Sequence, residues 1–139
     1  MGFIRTIGKD GKPYYFKYQL ESQPSRGIAK VCFKTTFVDQ KDGNWFDFKV
    51  APFEDIYMRV TDMFDTFEHS THEFLFRGKG LPEALILEAQ KVYPDKIIIS
   101  DTGDALWEPG RAVWRRLVKR NLAKYDESRD LFILNNPLL

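Results

Sequence analysis

Apolar and polar residues alternate along the N-terminal part of the chain. Phe3 to Ile7 and Tyr14 to Leu20 read as two strands joined by a turn through Lys9, Asp10, Gly11 and Lys12, since Asp-Gly between apolar runs is a hairpin signal. A loop of Gln23, Pro24, Ser25, Arg26 and Gly27 follows. Beyond it, Ala29, Val31, Phe33, Thr35 and Phe37 alternate with Lys30, Lys34 and Thr36, the pattern of a half-buried strand. Lys41, Asp42, Gly43 and Asn44 make the next turn, after which Phe46, Phe48 and Val50 alternate with Trp45, Asp47 and Lys49.

At Pro52 the period changes. Phe53, Ile56, Tyr57, Val60, Met63, Phe64 and Phe67 recur at helical spacing, with Glu54, Asp55, Arg59, Asp62 and Asp65 opposite, and predict an amphipathic helix from Pro52 to His69. A strand, Glu73 to Arg77, then enters Gly78, Lys79 and Gly80. The helix after it starts around Pro82, where the missing amide hydrogen costs little, and ends near Tyr93 and Pro94. Lys96 to Ser100 holds three consecutive isoleucines, a buried strand at this length. After a loop at Asp101, Thr102, Gly103 and Asp104, a last helix from Arg111 to Tyr125 places Trp114, Leu117, Val118, Leu122 and Tyr125 on one stripe, and Leu131 to Leu134 closes as a strand. The predicted fold is α/β (α+β): a mixed sheet of mainly antiparallel N-terminal hairpins, joined to a C-terminal half in which strands and helices alternate. No repeat, low-complexity tract or linker divides residues 1–139, so a single domain is expected.

Composition narrows the partners. With 21 Lys+Arg against 20 Asp+Glu the net charge is +1, which argues against wholesale binding to nucleic acid or an anionic membrane. Cys32 is the only cysteine, so no internal disulfide can form and a reducing, cytoplasmic setting is expected. No apolar run reaches the roughly 20 residues of a membrane span, and the charged N-terminus does not read as a signal peptide. Twelve Phe, six Tyr and three Trp predict a core of large flat side chains, the alternative being some aromatic surface reserved for a ligand or partner.

The segment Phe76, Arg77, Gly78, Lys79, Gly80, Leu81 carries the strongest chemical suggestion. Glycines before a helix let backbone amides turn toward a phosphate, and Arg77 and Lys79 add charge; the same glycines also suit a tight turn and nothing more. His69 and His72 lack companions for a metal site and read as packing residues, and no metal is expected. Cys32 reads as a buried small residue. Arg111, Arg115, Arg116, Lys119, Arg120 and Lys124 on the last helix form either a solvated face or a phosphate-binding surface beside Trp107 and Trp114.

The glycine segment resembles the coenzyme loop of the GNAT family of N-acetyltransferases, with Arg77, Gly80 and Pro82 at its marked positions. The resemblance extends over Glu73 to Leu134. It is similar also to small bacteriophage-encoded GNAT-like proteins, in which a Ser-Asp pair precedes a helix with Trp and, three residues on, Leu, matched here by Ser100, Asp101, Trp114 and Leu117. This resemblance implies acetyl-CoA as cofactor, with the strand before the loop pairing with the pantetheine arm and residues 76–81 holding the phosphates. It implies an N-acetyltransferase whose acceptor and catalytic residues are open. Trp114 stands where the family often has a Tyr as acid, and Glu73, Asp101, Asp104 and Glu108 are candidate bases. The alternative it implies is a non-catalytic phage-encoded protein that binds and inhibits a host protein in the host cytoplasm.

Overall fold

The computed structural model describes residues 1–40, 44–61, 75–102, 106 and 108–138. The alternating N-terminal region folds as an antiparallel meander of β1 (Gly2–Ile7), β2 (Pro13–Ser22), β3 (Val31–Phe37), β4 (Phe46–Phe53) and β5 (Tyr57–Thr61). Helix α1 (Leu81–Val92) then leads to β6 (Ile97–Ile99), which pairs in parallel with β5. Helix α2 (Glu108–Lys119) leads to the hairpin β7 (Ala123–Asp126) and β8 (Leu131–Leu134). The eight strands form one mixed, mostly antiparallel sheet in the order β1-β2-β3-β4-β5-β6-β8-β7, with β8 set between β6 and its own hairpin partner. The expected mixture of N-terminal hairpins and C-terminal strand-helix alternation is therefore present.

Period-2 patterning aims one face of this sheet at both helices. Ile4, Phe16, Phe33, Phe48, Val50, Met58, Ile98 and Phe132 form a single core with Leu81, Leu85, Ile86 and Ala89 of α1 and Val113, Trp114 and Leu117 of α2. Trp114 is fully buried and stacks on Phe132 at 6.1 Å. Burying each such side chain contributes about 1.5–3 kcal/mol. At the edge, Gly2 faces Tyr18 so closely that a Cβ would lie 2.1 Å from its ring. The Tyr18 hydroxyl donates to Glu88 of α1 at 2.6 Å and so ties the helix to β2.

Three sequence expectations are corrected. The region from Pro52 is not helical up to Thr61: β4 runs on to Phe53 and β5 returns from Tyr57, with Phe53 opposite Tyr57 and Val50 opposite Val60. Glu54, at φ 51°, turns the chain between them. Met58 and Val60 are buried while Tyr57, Arg59 and Thr61 are less so, the alternation of a strand; residues 62–69 lie outside the described residues. The expected strand at Glu73–Arg77 is helical at Leu75 and Phe76 and a turn from Arg77, while residues 73–74 lie outside the described residues. Finally, the last helix stops at Lys119, not Tyr125. Asn121 adopts φ 60°, its N–H donates to Val118 O and that of Leu122 to Leu117 O, both at 2.9 Å. That pair of bonds around a left-handed residue is a Schellman cap, so Leu122 and Tyr125 belong to the following turn and strand.

Candidate site at the carboxyl ends of the parallel strands

In parallel α/β units, ligands sit beyond the carboxyl ends of the strands, where connections to helices leave room. Here the parallel pair is short: Tyr57, Met58 and Arg59 face Ile97, Ile98 and Ile99. Strand β6 then stops, because the next residue turns toward β8. The Ser100 N–H donates to Phe132 O at 3.0 Å, its Oγ accepts from the Phe132 N–H at 2.9 Å, and the same hydroxyl donates to Asp101 O at 2.7 Å. Strand β5 continues to Thr61 against β4. Val60 and Thr61 thus have a strand on one side and, among the described residues, none on the other.

Two polar atoms mark this parting. Among the described residues, Arg59 Nε and Thr61 Oγ1 are buried without a hydrogen-bond partner. Their side chains share the sheet face opposite the helices, two residues apart on one strand. The Arg59 guanidinium lies 3.7 Å above the centre of the Phe53 ring and 4.0 Å from Asp101 Oδ1, which hold it at the strand end. Nearby on that face, Arg129 lies 5.2 Å over the Tyr57 ring, anchored by Asp126 at 2.9 Å. Hydrogen bonds from Arg129 and Ser128 lower the Asp126 carboxyl to about 2. Buried donors cost free energy when unmatched, so Arg59 and Thr61 suit an acceptor oxygen brought in by a ligand.

The glycine loop lies elsewhere on the same end of the sheet. Gly78 and Gly80 take φ 71° and 74°, a conformation that favours glycine. The Lys9 N–H donates to Gly78 O at 2.8 Å, and a Cβ on Gly80 would lie 3.1 Å from Ile7 O, so the loop is seated on the β1–β2 turn. Phe76 is core, stacked on Phe37 at 5.3 Å and edge-on to Phe46 at 5.7 Å, and Leu81 is fully buried. Lys79 Nζ leans toward the Tyr14 ring at 5.3 Å and Arg77 O at 3.4 Å. Arg77 itself is exposed. In the first turn of α1, Glu83 is paired with Arg116 of α2 and, at 3.4 Å, with Arg120 just past its end, so part of the basic stripe is engaged within the fold.

Other sequence candidates separate. Trp114 is core, and its indole N–H cannot serve as the acid of an acyl transfer. Glu108 pairs with Arg115 at 2.8 Å. Cys32 is fully buried and burial pushes its thiol up to about 12, so it stays protonated at neutral pH. His69, His72, Glu73, Asp104 and Trp107 lie outside the described residues. Arg59 and Thr61 escaped the sequence reading because they were assigned to a helix, where their spacing would point them apart. No family model, curated protein or solved structure matches this chain. Among the described residues, no helix is long and apolar enough to cross a membrane.

Proposed function

We propose that this chain is a GNAT-like acyl-CoA-binding protein, with the acyl-pantetheine arm at the parted ends of β5 and β6. The observation that carries the reading is a pair of donors, Arg59 Nε and Thr61 Oγ1, buried and without a partner among the described residues, where β5 outruns β6. A pantetheine arm offers amide carbonyls to such donors, and the strand end beside them offers backbone groups for pairing. The arm thus belongs to β5 rather than to the segment before Gly78.

The glycine loop supplies the phosphate side of the same proposal. Antiparallel neighbours alternate in direction, so β1 and β5 run the same way, and the Ile7 and Thr61 ends share one end of the sheet. Four strand spacings separate them, roughly 19 Å at ~4.8 Å each, which suits an elongated ligand. Exposed Arg77 and the amides opening α1 would receive the pyrophosphate there. Glu83 beside them is neutralised by its two arginines. Acetyl transfer to an amine is the activity to screen; its acid and base are unassigned. The second reading, a non-catalytic module that binds and inhibits a host protein, is favoured by the burial of Trp114 in the core and by the exposed Phe3, Ile7 and Tyr15.

Calorimetric titration with acetyl-CoA and CoA tests the proposal. One saturable site is expected, with Thr61→Val weakening it roughly fivefold, the worth of one neutral hydrogen bond of about 1 kcal/mol. Arg77→Ala should weaken it by at least about tenfold through loss of a charged contact. No heat with either ligand, or affinity untouched by both substitutions, overturns the reading.

A further inference from the structure

The two edges of the sheet are built differently. Edge strand β7 is four residues long, carries Lys124 and Asp126, and runs into the charged turn from Glu127 to Asp130, the usual ways of discouraging a second chain from pairing. Edge strand β1 is six residues long and exposes Phe3 at 66% and Ile7 at 52%, with Tyr15 on the neighbouring strand at 53%. Among the described residues β1 pairs with β2 alone.

The ladder identifies which backbone groups face outward. The Gly8 N–H donates to Lys12 O, and residues of β1 and β2 pair in that same register, from Ile7 opposite Pro13 to Gly2 opposite Tyr18. Hydrogen-bonded and non-hydrogen-bonded pairs alternate along an antiparallel ladder. Gly2, Ile4 and Thr6 therefore bond to β2, while Phe3, Arg5 and Ile7 turn their N–H and C=O groups to the free edge. The Pro13 opposite Ile7, which has no N–H to give, agrees with this parity.

We infer that this free edge pairs antiparallel with β1 of a second copy of the chain, about a two-fold axis at Ile4. Hydrogen bonds across the axis require outward residues to meet outward residues. Any register that uses Ile7 places a partner strand at its carbonyl, where Gly80 is already seated. The Arg5-centred register has that fault and also sets Arg5 against its own copy. A Phe3-centred register recruits Met1, which precedes the strand. With Ile4 at the centre, Phe3 and Arg5 of one chain exchange both backbone bonds with Arg5 and Phe3 of the other. Each guanidinium then lies beside a Phe ring, a favourable cation–π pair, on the sheet face away from the helices. The edge is complementary to itself in hydrogen bonding, charge and apolar contact, which is what an isologous interface demands.

Sedimentation analysis over a concentration series tests this. The full chain should dimerise. Arg5→Pro deletes one outward N–H and no bond to β2, so it should give a monomer with an unchanged circular dichroism spectrum. Phe3→Arg opposes two arginines and should weaken the dimer by at least about tenfold, whereas Phe3→Arg with Arg5→Phe restores both mixed pairs and should return the affinity to within roughly threefold of the parent. A parent chain that is monomeric throughout the series overturns the inference. So does a dimer that survives Arg5→Pro, or a double substitution no better than Phe3→Arg alone. If Arg5→Pro does not fold, the Phe3 and Arg5 exchange decides by itself.

Discussion

Replacing glycines one at a time by alanine isolates what the loop before α1 does for the fold. Gly11, Gly78 and Gly80 all have φ between 71° and 77°, so each alanine incurs a left-handed penalty of about 1–2 kcal/mol. The stiffer unfolded chain offsets about 0.4–1 kcal/mol of it. The surroundings then differ. A Cβ on Gly11 meets nothing within 4 Å, one on Gly78 meets only Lys9 Cδ at 3.9 Å, and one on Gly80 meets Ile7 O at 3.1 Å with Thr6 Cβ at 3.7 Å. A backbone carbonyl cannot rotate away as a side chain can, so Gly80→Ala must shift β1 or the start of α1. Such overpacking typically costs a further 1–3 kcal/mol or so. Urea denaturation should therefore place Gly11→Ala and Gly78→Ala together, about 0.5–1 kcal/mol below the parent, and Gly80→Ala at least ~1 kcal/mol lower still. Equal losses at all three positions would refute the claim that Gly80 is required by its close approach to Ile7.

Ser100→Ala should cost about 1–3 kcal/mol in the same assay, because it strands the Phe132 N–H that closes β6 onto β8; a loss under ~0.5 kcal/mol would mean the hydroxyl is dispensable. Burial and the hydrogen bond to Glu88 raise the Tyr18 pKa above its ordinary 10.0. The folded state therefore keeps a proton that the unfolded state releases at high pH. This contribution to stability is complete below about pH 10 and is lost as pH climbs from there toward the folded pKa. Thermal melts of the parent should fall more steeply than those of Tyr18→Phe above that pH, and parallel curves would count against a buried, bonded phenol.

The N-terminal meander was legible because its apolar residues obey only one period. Phe46, Phe48 and Val50 cannot share one helical stripe, because at 100° per residue Phe48 would point away from the other two. From Pro52 onward two periods coexist. Phe53, Ile56, Tyr57 and Val60 satisfy a helix, while Met58 and Val60 against Tyr57, Arg59 and Thr61 satisfy a strand. What decides between them is non-local: β5 is inserted between β4 and β6, and the Ile97 N–H donates to Ile56 O at 2.9 Å, a partner far along the chain. Tertiary pairing outweighs propensity in such windows. The C-terminal end of α2 was hidden for a local reason, since Asn121 takes the left-handed position that glycine usually signals.

Reading the site depended on that same ambiguity. The glycine loop was visible as a turn entering a helix, and it is one; its seat on Ile7 and Lys9 was not, because nothing in a glycine names its neighbour. Read as a helix, the segment puts Arg59 on its polar side and points Thr61 elsewhere, because residues two apart on a helix face different directions. On a strand the same two residues share a face. Moving the segment from one period to the other therefore changes more than an element's label: it brings two buried donors together at the end of a parallel pair. The placement of Arg59 and Thr61 follows from the pairing partner of β5, and that partner is a short run of isoleucines whose own role in the sequence was only to be buried.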